Sequence, residues 1–198
     1  MSTADANAST RDRLIGSMLD ALRRRGYFGI GLNELLASAG APKGVLYHHF
    51  PGGKAQLAVA AVQVGVDSML ASLDKLLARH SHPADALKAW MDGAQKLLLA
   101  SEFERGCPLA TIALESARED VEIRAALAAG FAAIRERLSA AMMRHGASEQ
   151  IASQLATLIV SAYEGALLQA RVAGTLAAMR ETSTALVSLI RAHTRPIP

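Results

Sequence analysis

The 198-residue chain is long enough to fold as a small N-terminal domain followed by a larger one. Half of its residues are apolar but only eight are aromatic, and the prevalence of alanine and leucine predicts helices throughout, an all-α protein. A single cysteine, Cys107, excludes an intramolecular disulfide and suits a reducing compartment; no apolar run of membrane-spanning length and no signal peptide stand out, so a cytoplasmic protein with no membrane partner is expected. The net charge of +3 is small but unevenly placed. Residues 1–57 hold seven basic side chains against four acidic ones, and residues 58–198 hold fourteen of each. The excess sits on the N-terminal segment, where a polyanionic partner is therefore expected.

In chain order, residues 1–8 are small and polar and read as a disordered arm. Ser9-Thr10-Arg11-Asp12 has the S-x-x-D pattern of a helix start, and Ile15, Met18, Leu19 and Leu22 form an apolar face. Arg23, Arg24 and Arg25 complement the dipole at that helix's end before Gly26 stops it, and Tyr27 and Phe28 are expected to anchor the loop. Leu32, Leu35, Leu36 and Ala39 outline a second helix, and Gly40 can take the left-handed conformation of a tight turn. A third, short helix is predicted over Pro42 to His48, with Leu46 inward and Phe50 plugging the core. Lys43, Val45, Tyr47 and His48 are left outside. Helix, glycine turn and short helix make a helix-turn-helix, whose second helix is sized for the major groove of DNA.

After the break at Pro51-Gly52-Gly53, a long helix from Lys54 to about Ala78 is predicted to join this head to a body. Residues 79–83 read as a linker, and further helices follow over about 84–101, 108–116, 121–145, 149–173 and 175–193, with Asp120 and Ser148 as candidate N-caps. The total is nine helices, no strand and no internal repeat. The domain reading is a helix-turn-helix domain at 9–57 and a ligand-binding and dimerisation domain at 58–198.

The run Ala39-Gly40-Ala41-Pro42-Lys43-Gly44-Val45-Leu46-Tyr47-His48-His49-Phe50, with Lys54 shortly after, resembles the DNA-binding signature of the TetR family of transcriptional repressors. The Tyr-His-His-Phe-Pro-Gly-Gly-Lys stretch and Gly106-Cys107-Pro108 resemble one branch, which includes repressors of multidrug-efflux and flavonoid-responsive genes. The resemblance implies a nine-helix repressor that acts as a homodimer on a palindromic operator. It implies DNA contacts at Gly31, Lys43, Gly44, Val45, Tyr47, His48 and Lys54. Gly31 departs from the pattern, in which a threonine or serine usually caps the second helix and touches phosphate. Val45 keeps the methyls of the family's usual threonine and loses its hydroxyl. By chemistry, Lys43 suits guanine or phosphate, Val45 a thymine methyl, and Tyr47, His48 and Lys54 suit phosphate.

In the body, Trp90, Met91, Phe103, Cys107, Phe131, Met142 and Tyr163 are the large or polarizable residues that could line a pocket for a small apolar or aromatic effector; helical core packing yields the same spacing. Apolar residues on more than one face of the helix from Glu149, and those of the last helix, predict a dimer through these two. Cys107, before a helix-starting proline, raises the alternative of a redox-sensing repressor. A helical carrier or enzyme with a vestigial head is a second alternative. Catalytic motifs are missing from the sequence, no cofactor is implied, and His80-Ser81-His82 is a weak metal motif in a flexible linker.

Overall fold

The computed structural model describes residues 9–195, so the arm expected at residues 1–8 lies outside the described residues. Among the described residues the chain forms nine helices and no strand. They are α1 (Thr10–Arg24), α2 (Leu32–Ser38), α3 (Lys43–His49), α4 (Gly53–Arg79), α5 (Pro83–Ala100), α6 (Pro108–Glu115), α7 (Val121–Arg144), α8 (Glu149–Ala173) and α9 (Ala177–His193). The N-caps behave as their chemistry requires: the Ser9 hydroxyl accepts from Asp12 N at the start of α1, and Ser148 accepts from Ile151 N at the start of α8. Gly174, left-handed at φ 64°, ends α8. Asp120 takes the N-cap position of α7 through its carbonyl, which accepts from Arg124 N at 2.9 Å. Its carboxylate turns back to accept from Ala117 N, closing the loop before the helix.

Two compact units share the chain. One runs to Gly65 and adds Cys107–Ala128; the other consists of Val66–Gly106 and the chain from Ala129 on. The expected division at residue 57 is not where the units part, since α6 and the start of α7 belong with the N-terminal helices. The physical reason is a close packing of α1, α4 and α6 around Gly65. A Cβ there would sit 3.2 Å from Leu19 of α1 and 3.8 Å from Leu109 and Pro108 of α6. Leu14, Met18, Leu22, Leu35, Leu46, Leu57, Leu109 and Ile112 are fully buried in this unit, each contributing about 1.5–3 kcal/mol of hydrophobic transfer.

In the second unit α9 packs on both α5 and α8. The α9 stripe Met179, Ser183, Leu186 and Ile190 is buried, as are Leu87, Met91 and Leu98 of α5. The helices α5 and α9 run antiparallel, because Asp85 at the start of one pairs with Arg191 near the end of the other at 2.6 Å. Two helices, α4 and α8, have length and mean hydropathy (1.4) sufficient to cross a membrane, contrary to the expectation that no run approached that length. In each, 44% of the apolar window is already buried inside the protein, as in the core helices of a bundle.

The linker before α5 is not a solvated tether either. His82 is only 6% exposed and serves as the N-cap of α5, its Nδ1 accepting from Ala84 N at 3.2 Å. Its Nε2 lies 3.2 Å from the Thr194 hydroxyl, which donates to Ile190 O at 2.6 Å. With that hydrogen engaged, Nε2 must carry the ring proton, and the imidazole is neutral. Burial lowers its pKa below the usual 6.5, and Arg191 and His145 act in the same direction against the opposing pull of Asp85. The unfolded chain therefore binds this proton more readily. Stability is full above the unfolded pKa and falls as pH drops through about 6.5 toward the lower folded value. Urea unfolding midpoints for wild type should fall between about pH 7.5 and 5.5 by more than those of His82→Asn, whose amide caps without titrating.

Candidate nucleic-acid interface

Local chemistry sets the turn between α2 and α3. Gly40, at φ 58°, ends α2 in a left-handed step; Gly40 N donates to Ala37 O at 3.1 Å and Ala41 N to Leu36 O at 3.0 Å. This is the Schellman pattern, which satisfies the last carbonyls of α2 within two residues. Pro42 is the N-cap of α3 rather than its first helical residue, so the helix begins at Lys43. Leu46 and Phe50 are buried beneath it. That anchoring turns Lys43, Gly44, Tyr47 and His48 to solvent, with Val45 half-buried at the edge. The seven-residue α3 thus presents the face expected of it.

Charge is distributed less simply than the count of basic residues suggests. Arg13 Nε donates to Ala39 O at 3.1 Å, capping the end of α2. Arg24 pairs with Asp20 at 3.1 Å and Arg25 with Glu34 at 2.6 Å. Arg11 lies over the Phe50 ring, 5.5 Å from its centre. Lys54, expected to seat a phosphate, instead turns its ammonium inward. Its Nζ donates to Tyr27 O at 2.6 Å and Ile30 O at 2.7 Å, and sits 4.5 Å over the Tyr27 ring. Burial lowers its pKa, with Glu115 opposing that shift. Lys43, by contrast, makes no ion pair or hydrogen bond among the described residues. Its cation stands exposed on the outer face of α3.

Gly31 is the N-cap of α2 with φ −73° and no side-chain hydrogen bond, and a Cβ there would meet nothing within 4 Å. A serine or threonine would fit, so the missing hydroxyl is not imposed by the fold. Tyr47 is 46% exposed and its ring lies beside the turn into α4, 3.3 Å from where a Cβ on Gly53 would stand. Gln56 caps that turn by accepting from Gly52 N at 2.9 Å. Phe28, expected as an anchor, is 68% exposed; Ile30 fills the core in its place.

Of the candidate effector residues, Trp90 and Tyr163 are brought together, stacked with centroids 4.6 Å apart at 25°. Met91 and Met142 are fully buried core, and Phe103 and Phe131 are half-buried. Cys107 falls in the unit that carries α3, at the N-cap of α6, and is 5% exposed. Among the described residues no three potential ligands cluster as a metal site. Sequence reasoning missed Arg13, Gln56 and Glu115. Only Gln56, four residues beyond Gly52, could have been found from spacing.

A three-helix head with an outward, cation-bearing second helix of a helix-turn-helix defines a DNA-binding protein. Comparison with known proteins makes the assignment specific. Residues 19–61 match the family described as bacterial regulatory proteins, tetR family, and residues 83–185 match the C-terminal domain of LmrA/YxaF-like transcriptional regulators. The chain belongs to the TetR family of transcriptional regulators. An uncharacterised HTH-type transcriptional regulator of Mycobacterium tuberculosis is 33% identical to it over 82% of this chain and 84% of its own. The HTH-type transcriptional regulator LmrA of Bacillus subtilis is 25% identical over 92% of this chain and 97% of its own. The crystal structure of a TetR transcriptional regulator from Legionella pneumophila superposes with a TM-score of 0.84 at 22% identity, covering 94% of this chain and all of that one. The expected function, a ligand-controlled DNA-binding repressor, is the function typical of this family, whose members bind DNA operators and form dimers.

Replacing Lys54 by methionine should lower the melting temperature and weaken DNA binding. The slope of log K against log salt should stay unchanged, because that slope counts phosphates neutralised. A slope flatter by about one unit would return Lys54 to the phosphate contacts.

Proposed function

We propose that α3 reads a palindromic operator through Lys43, Gly44, Val45, Tyr47 and His48, in a cytoplasmic homodimer whose DNA binding a small apolar or aromatic effector controls. The observation that carries the reading is Gly44. It lies in a helix, faces outward, and a Cβ added to it would meet nothing within 4 Å. Glycine in a helix costs up to about 1 kcal/mol against alanine, and nothing inside the fold requires it here. Its use is to a partner whose surface comes against the backbone, as a DNA groove does. Lys43 beside it supplies an unengaged cation for phosphate or guanine.

The dimer face is best placed on α8, with α9 beside it. Leu158, Leu168 and Val172 (82% exposed) are large apolar residues left uncovered on α8. They share one helical face with Gly165, where a Cβ would meet nothing within 4 Å. A twofold dimer through this face presents one DNA-reading motif twice, which makes the operator a palindrome. For the effector, the partly buried Trp90 stacked on Tyr163 favours a planar apolar molecule, with Phe103 and Phe131 as further candidate walls. Met91, Met142 and Cys107 are left to core packing. Burial of Cys107 speaks against the redox-sensing alternative.

Gly44→Ala should raise head stability by up to about 1 kcal/mol while weakening operator binding, measured by thermal melts and by titration of a duplex selected from random sequence. Tighter binding by the alanine variant would take the backbone of α3 away from DNA. Leu168→Glu should give a monomer in sedimentation, with loss of operator affinity; an intact dimer would move the interface elsewhere.

A further inference from the structure

The segment Gly26–Ile30, which leads from α1 into the helix-turn-helix, is held from two sides by groups remote in sequence. Its carbonyls at Tyr27 and Ile30 accept from the Lys54 ammonium at 2.6 and 2.7 Å. Its amides at Tyr27 and Phe28 donate to one oxygen of Glu115, the last residue of α6, at 3.2 Å from Phe28 N and closer from Tyr27 N. Gly26, at φ 82°, makes room for this, since a Cβ there would overlap the Glu115 carboxylate. Any other residue at position 26 would clash as well as strain the backbone. Glu115 carries the only side chain of α6 seen to hydrogen-bond this loop among the described residues.

We infer that Glu115 is a positioning residue for DNA binding: it touches no DNA but sets the angle at which α2 and α3 leave α1. The inference rests on the DNA-binding reading above. Two backbone donors converging on one carboxylate oxygen define a direction as well as a distance, and hydrogen bonds to a charged acceptor are the stronger kind. The Lys54 ammonium supplies the opposite charge to the same loop, so neither ion sits against the segment uncompensated. Because the loop begins two residues after α1 and ends one residue before the N-cap of α2, displacing it moves the first helix of the reading head directly.

The test compares Glu115→Ala and Glu115→Gln with wild type on the duplex that wild type selects, at a temperature where circular dichroism shows every variant folded. Glu115→Ala should bind roughly tenfold more weakly or worse, with an unchanged salt slope, since no phosphate contact is removed. Glu115→Gln, which keeps an acceptor oxygen, should recover part of the loss. In a cycle with Lys54→Met the two effects should be non-additive, because both act through one loop. A lower melting temperature with wild-type affinity would reduce Glu115 to a merely structural role and overturn the inference. An altered salt slope would overturn it too, by making the effect electrostatic. Failure of wild type itself to select any duplex would instead sink the DNA-binding reading.

Discussion

The head of this protein depends on how the polar backbone of residues 26–30 is satisfied. A segment with no helical partners of its own must find donors and acceptors elsewhere or leave them unpaired, at a cost of about 1–3 kcal/mol for each buried group. Here a lysine takes carbonyls and a glutamate takes amides. The lysine comes from the helix after the reading head and the glutamate from a helix some sixty residues further on. This sets the head's composition: α6 is part of the N-terminal unit because the loop requires it and because Leu109 and Ile112 complete the core over α1. A helix-turn-helix of three short helices buries little surface alone, and α6 adds what is missing.

The same accounting changes how the positive charge is understood. A basic segment suggests a polyanion, yet Arg13, Arg24, Arg25 and Lys54 each have an internal partner. Their roles are helix capping, ion pairing on the surface and loop closure, and surface pairs of this kind add little stability. The electrostatic attraction to DNA is then less a property of the count than of where Lys43 stands. It sits on the outer face of α3 beside a glycine, with no ion pair or hydrogen bond among the described residues. Charge of the right sign is common; charge left unpaired on the face of a groove-sized helix is specific.

In the second unit the balance is reversed, with apolar packing fixing the arrangement and polar groups pinning its ends. Antiparallel α5 and α9 meet along buried stripes, and the neutral His82 ties the start of one to the chain leaving the other. The apolar face of α8 formed by Leu158, Leu168 and Val172, with Gly165 at its centre, is left uncovered among the described residues.

The sequence by itself determined the elements that local rules govern. Apolar periodicity, Ser9 and Ser148 as N-caps, Gly40 as the left-handed end of α2 and Gly174 as the end of α8 all act within a few residues, so the nine helices among the described residues and the outward face of α3 were legible. Only the tertiary structure decided where polar side chains spent their hydrogen bonds. Lys54 looked like a phosphate seat because its position at a helix start is favourable, but two carbonyls twenty-four and twenty-seven residues away were nearer. Nothing about Phe28 marks it as exposed or Ile30 as its replacement, and His82 became a buried cap only because Thr194 stands across from it. Glu115 carries no local signal at all. Its place is set by the packing of α6 on α1, and a long-range contact between single residues leaves no period in the chain for a linear reading to find.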